Sequence, residues 1–108
     1  MKRMLFTLLI LTSSTCCGMA QETDARSEKG MLLAENLCAG CHAIGATGNS
    51  PHPSAPPFRR LEQRVDLDSF IDRLRENLTS GHPDMPTFRF ARDDARALVA
   101  YLRSIQRP

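Results

Sequence analysis

Two cysteines and a histidine stand together in the stretch CAGCH, as Cys38, Cys41 and His42. Four chemistries use such residues at such spacing: a disulfide, half of a zinc site, a thiol redox pair, and the attachment of a haem. The other soft or nitrogen ligands beyond the first twenty residues are few. They are the thioethers of Met31 and Met85 and the imidazoles of His52 and His82.

The surroundings choose among the four. Zinc asks for two more ligands at local spacing, whereas His52 and His82 stand thirty residues apart. A disulfide would close a tiny loop and leave His42 unexplained. A thioredoxin-type pair belongs with a βαβ pattern, and no run here alternates with strand period. On the last turn of a helix, however, positions i, i+3 and i+4 share a face. Both sulfurs can then bond to a porphyrin edge while the imidazole reaches the iron. C-x-x-C-H is the haem c attachment signal, so haem is the preferred reading, with zinc and disulfide as its alternatives.

The elements that must position this motif come after a leader. Lys2 and Arg3 precede an apolar run from Met4 to Leu11 and the small polar run TSST. That order makes a secretory signal, with cleavage expected after Ala20. The apolar run is far shorter than the roughly 20 residues that span a bilayer. Cys16 and Cys17 raise the alternative of lipid attachment, but the large aliphatic residue of lipoprotein signals is missing ahead of them. Removing 20 of the 108 residues leaves 88, and only Cys38 and Cys41 among the cysteines. Loss of Lys2 and Arg3 leaves 12 of the 14 basic residues against 12 acidic ones, a formal net charge of zero. Such a balance argues against a nucleic-acid partner, which needs clustered positive charge. A chain this short buries only a modest core and commonly needs a staple, a metal or a cofactor.

Residues 21–27 are polar and read as loose. A helix is expected from Ser27, its N-cap, through Met31, Ala34, Leu37 and Cys38. Residues 49–58 hold Pro51, Pro53, Pro56 and Pro57 and must form a stiff irregular loop. FRRLEQR (58–64) suits one or two helical turns. Leu67, Phe70, Ile71, Leu74 and Leu78 predict an amphipathic helix, capped by Asp66 or Asp68 and ended at Gly81. Residues 82–90 form a second loop broken by Pro83 and Pro86. Ala91, Ala95, Leu98, Leu102 and Ile105 then mark a last helix, with Asp93 and Asp94 in its first turn and Arg103 towards its end, as the helix dipole favours. The fold class is all-α, small, with long loops.

If His42 is one axial ligand, the other comes from far along the chain. Met31 lies on the apolar stripe of the first helix, where packing is its expected role. Met85 sits between Pro83 and Pro86, in a loop whose stiffness fixes where the sulfur points. Met85 is therefore favoured, with His82 its main rival and His52 also available; His/Met is the pair of cytochromes c.

Taken together, Gly30, CAGCH, SPHPSAPPF, GHPDMPTF and LVAYLRSI resemble the small monohaem c-type cytochromes, the class I cytochrome c family of exported bacterial kind. The resemblance covers nearly all of residues 21–108, which it implies are one cytochrome c domain of three to four helices wrapped around one covalently bound haem. It implies that the first and last helices cross where Gly30 meets Tyr101, with Leu98 and Leu102 nearby. It implies a proline carbonyl that supports His42, without deciding among Pro51, Pro53, Pro56 and Pro57. The implied function is a periplasmic electron carrier, not an enzyme, with one haem c on Cys38 and Cys41 and the iron between His42 and Met85. Redox proteins would meet it at the exposed haem edge, and it would act as a monomer, without membrane insertion or nucleic acid. Such carriers often ring that edge with lysines. Here only Lys29 follows the leader, and Arg89, Arg92, Arg96, Arg103 and Arg107 read as a solvated face. Two alternatives stay open: a soluble haem subunit of a dehydrogenase or oxidase, and a peroxidase-like or gas-binding protein should the sixth ligand be absent.

Overall fold

Asp66 starts the most clearly amphipathic helix: its carboxylate accepts from the backbone N–H groups of Asp68 (3.1 Å) and Ser69 (3.3 Å). These bonds hold the Asp66 carboxyl below its usual range. They also satisfy two donors that the first turn of a helix leaves free. In the computed structural model, which describes residues 17–107, this helix is α2 (Leu67–Glu76). It follows α1 (Cys17–Leu37) and a short 3-10 helix (Phe58–Gln63), and precedes α3 (Arg92–Ile105). The described chain is helical, as expected. Its one strand-like pairing among the described residues is an isolated antiparallel bridge between Leu78 and Phe88. No described helix is long and apolar enough to cross a membrane.

Two boundaries differ from expectation. Residues 21–27 are helical rather than loose, because α1 begins at Cys17. Their Ala, Glu, Gln and Arg are good helix formers without an apolar face, and Arg26 pairs with Glu22 one turn away at 2.9 Å. Ser27 consequently lies mid-helix, with its hydroxyl 3.5 Å from that of Ser104, instead of capping. Helix α2 stops at Glu76, and Asn77 is extended. Leu78 leaves the helix and still reaches the core, because its N–H and C=O bond to Phe88 at 2.7 and 3.2 Å. The bridge replaces the helical partners of a buried residue. Gly81 serves the loop beyond, at a φ of 76° that side-chain-bearing residues rarely adopt. The apolar run of the expected leader, with Cys16, lies outside the described residues.

Helices α1 and α3 cross at Gly30. A Cβ there would lie 1.9 Å from the carbonyl oxygen of Ala97 and 2.8 Å from the Cβ of Tyr101. Only hydrogen fits, so the two backbones touch. Lys29 pairs with Asp94 across the same junction at 2.6 Å. Helix α3 buries more than the single stripe read from its sequence. Ala97 and Tyr101 turn towards α1, and Leu98 and Leu102 turn towards Phe58, Leu61, Phe70 and Leu74. Ala91, expected on that stripe, is instead the exposed residue before the helix. The end of α3 is stitched to the 3-10 helix through Gln106. Its amide donates to the Phe58 carbonyl (2.8 Å), and its side-chain oxygen accepts from the Glu62 N–H (2.9 Å).

Replacing Gly30 by alanine forces that crossing apart. Overpacking of this kind costs about 1–3 kcal/mol. Gly30→Ala is expected to fall in the upper half of that range in urea unfolding, since the obstruction is backbone. An unchanged midpoint would mean that the helices do not meet there.

Candidate functional site

Helix α1 ends by delivering CAGCH. Cys38 still bonds to the Ala34 carbonyl at 2.9 Å, and the Cys41 and His42 N–H groups then bond back to the Cys38 carbonyl at 3.1 and 2.9 Å. This tight turn continues the helical spacing past Leu37. The proline-rich loop folds back over it: the His52 N–H reaches the Cys41 carbonyl (3.0 Å), Ala43 bonds to the Ser50 hydroxyl (2.9 Å), and Phe58 bonds to the Ala43 carbonyl (2.9 Å). Tyr101 secures the same segment from α3, its hydroxyl donating to the Ile44 carbonyl at 2.8 Å. A loop with few regular hydrogen bonds is thereby fixed at several points.

The fold-back decides which proline serves His42. The ring Nδ1 lies 2.8 Å from the carbonyl oxygen of Pro56, so Pro56 takes the place that the sequence left open among four. A carbonyl can only accept, so Nδ1 carries the proton and donates it. Nε2 is left with a free lone pair, the form in which a neutral imidazole binds a metal. Phe58 packs on the ring, with centroids 5.0 Å apart.

Cys38, Cys41, His42 and Met85 all line one cavity of about 440 Å³, within the range of small-molecule sites. Its walls are the core itself: Phe58, Leu61, Phe70, Leu74, Leu98 and Leu102 face it from the 3-10 helix, α2 and α3. His52 and His82 also line it, whereas Met31 packs against the core without reaching the cavity. The packing role expected of Met31 thus holds. Among the lining residues that went unmarked in the sequence are two cations, Arg64 and Arg73. The Arg73 guanidinium lies 5.5 Å from the centre of the Phe70 ring. Both arginines are exposed, and nothing in their spacing sets them apart from the other exposed ones, because each sits beside an apolar position as a solvated helix residue would.

The chemistry of this lining suits a flat apolar group carrying a metal. It offers two thiols on one turn, an imidazole lone pair already aimed by its other nitrogen, a thioether, and apolar walls. Cys38 and Cys41 are free of one another. Among the described residues, the cluster able to hold a bare metal ion is His52, His82 and Asp84, and it includes neither cysteine. CAGCH is therefore not half of a zinc site with those histidines.

Comparison with known proteins agrees with this lining. A family model described as Cytochrome c matches residues 27–106. The chain is 31% identical over 104 residues to cytochrome c oxidase subunit 2 of Alkalihalophilus pseudofirmus, a match covering 82% of this chain and 30% of that protein. It is 30% identical over 98 residues to cytochrome c-552 of Bradyrhizobium diazoefficiens, covering 91% of this chain and 90% of that one. It thus spans less than a third of the first relative and nearly all of the second. No solved structure matches significantly.

Burial pushes the Cys38 thiol up to about 11, while Cys41 is exposed. In protein made without haem, iodoacetamide at pH 8 should therefore alkylate Cys41 well ahead of Cys38, because the thiolate is the nucleophile. Raising the pH towards 11 should narrow the gap. Peptide mass spectrometry at both pH values reads this directly, and equal rates at pH 8 would contradict the burial of Cys38.

Proposed function

The chain belongs to the cytochrome c family, and from that membership we propose a periplasmic carrier of single electrons with His/Met-ligated iron. Cys38 and Cys41 would hold one haem c by two thioethers, with His42 and Met85 as the axial ligands. The haem, when bound, supplies a one-electron ferric/ferrous couple. The observation that carries the reading is that all four side chains line a single apolar cavity, with His42 already oriented by Pro56.

The protein's own groups account for the rest. The Pro56 carbonyl fixes the tautomer of His42 and makes it a better donor. Pro83 and Pro86 stiffen the loop of Met85, and the Met85 N–H closes a turn on the His82 carbonyl at 3.2 Å. A soft sulfur ligand favours the reduced metal, as does an apolar wall. Arg64 and Arg73, at the cavity wall, would offer positive charge to the carboxylates of a bound haem. With His42 and Met85 both holding the iron, the site would leave no place for a small substrate, which favours electron transfer over bond-making chemistry. Lys29 is already engaged by Asp94, which leaves no lysine ring for docking. Partners would meet an edge set among arginines, histidines and backbone, at the small interface typical of redox encounters.

Export follows from the leader read in residues 1–20. Of α1, cleavage after Ala20 would remove the first four residues, of which Gly18, Met19 and Ala20 are exposed. A second reading, an electron-accepting module within an oxidase, is favoured by the resemblance to part of an oxidase subunit. Co-purification of an oxidase from membranes of the native organism would separate it from a free carrier.

The test is the axial ligand. Met85→Ala should abolish the weak near-red sulfur-to-iron band of the ferric protein. It should also lower the midpoint potential by on the order of 100 mV, given the roughly 0.8 V that axial ligands command. His82→Ala should leave both in place. An unaltered spectrum and potential in Met85→Ala would remove Met85 from the iron.

A further inference from the structure

His52, His82 and Asp84 line the same cavity as the residues assigned to the haem, and form a separate cluster there with His82 and Asp84 exposed. His52 Nε2 lies 3.1 Å from the Asp84 carboxylate. The His82 ring meets that of His52 edge-on, with centroids 5.4 Å apart and planes at 83°. One ligand atom from each of the three residues lies within 4.8 Å of the other two. The three come from two different loops, the proline-rich loop and the loop that carries Met85.

We propose that these three side chains bind a divalent transition ion of the zinc class, which clips the two loops together. Two imidazoles and a carboxylate form a donor set for borderline ions, whereas magnesium and calcium select oxygen. A tetrahedral zinc ion with bonds of 2.0–2.2 Å spaces its donors roughly 3.4 Å apart. From the observed spacing, closure brings donor pairs together by no more than about 1.4 Å, the difference between 4.8 Å and roughly 3.4 Å. Water completes the fourth position, as the exposure of His82 and Asp84 allows.

The tautomers must change, at little cost. His52 Nδ1 accepts the Ser54 N–H at 3.1 Å, and His82 Nδ1 accepts the Asp84 N–H at 3.3 Å. Each ring as it stands therefore bears its proton on Nε2. Binding through Nε2 moves that proton to Nδ1 and releases the backbone N–H to solvent. Ser54 and Asp84 are both exposed, so water takes over at once. Each imidazole stays neutral throughout, and no redox partner is required. The site goes beyond the electron-carrier reading and involves neither His42 nor Met85. It would tie the loop that supports His42 to the loop that supplies Met85.

The probe is zinc chloride titrated calorimetrically into untagged holoprotein in a non-chelating buffer, with thermal unfolding measured alongside. One zinc per chain is expected, with a rise in Tm that grows with zinc concentration. Loss of an outer partner of a metal ligand alone costs 10- to 100-fold in affinity. His52→Gln and His82→Gln should therefore each weaken zinc by about a hundredfold and abolish the rise in Tm. Absence of binding heat, or equal affinity in the His52→Gln/His82→Gln double variant, would overturn the site and leave the cluster a hydrogen-bonded strap. So would disappearance of the near-red band on zinc addition, because the ion would then be acting at the iron's ligands. Should Met85 prove not to bind iron, that band is missing from the start, and the stoichiometry and variants still decide the zinc site.

Discussion

The structure depends on a contact between two backbones. At Gly30 there is no room for a single carbon beyond Cα: the Ala97 carbonyl and Tyr101 Cβ already occupy it. This contact fixes where α1 lies on α3, and the two turns of helix from Gly30 to Cys38 transmit that position to CAGCH. The same helix α3 places Leu98 and Leu102 on the cavity wall and the Tyr101 hydroxyl on the Ile44 carbonyl. One close approach thus sets both the motif and the surface it faces. A side chain at position 30 would displace all of these together.

Around that crossing the chain builds its core as a lining. Phe58, Leu61, Phe70, Leu74, Leu98 and Leu102 are buried from solvent and also face the cavity. A chain of this length has too little apolar surface to close on itself with a wide margin. Filling the cavity with an apolar group adds contacts to every wall at once, which is how a cofactor can serve as both chemistry and core. Covalent attachment through two sulfurs would make that filling permanent, as befits a chain without a large independent core.

The loops contribute stiffness rather than regular structure. Residues 42–58 are held by bonds from Ala43, His52 and Phe58 and from the His42 ring to Pro56. The Met85 loop is held by the Leu78–Phe88 bridge and by its own prolines. His52 and Asp84 join the two loops at their rim. A side chain that must meet a metal at a fixed angle gains from such support, because each restrained dihedral is one fewer to order on binding.

Much of this was legible in the residues themselves. CAGCH points to its chemistry through helical spacing, Asp66 caps α2 through a side chain two and three residues from its partner N–H groups, and the apolar periods of α2 and α3 mark half of what is buried. These are local matters, settled within one or two turns of chain. What stayed hidden needs residues far apart. Pro56 was one proline among four until the fold-back at Ala43 and Phe58 selected it. Leu78 reads as the end of a helix until Phe88, ten residues on, offers it different partners. Residues 21–27 look loose because helix propensity without an apolar face leaves a weak pattern. Arg64 and Arg73 are exposed like other arginines, and only the fold shows that a cavity opens beside them. Local spacing determined the chemistry and the elements, because hydrogen-bond geometry along one helix is set by sequence separation. Tertiary structure alone decided which loop atoms meet, because those meetings depend on where a helix crossing too close for a side chain leaves the two loops.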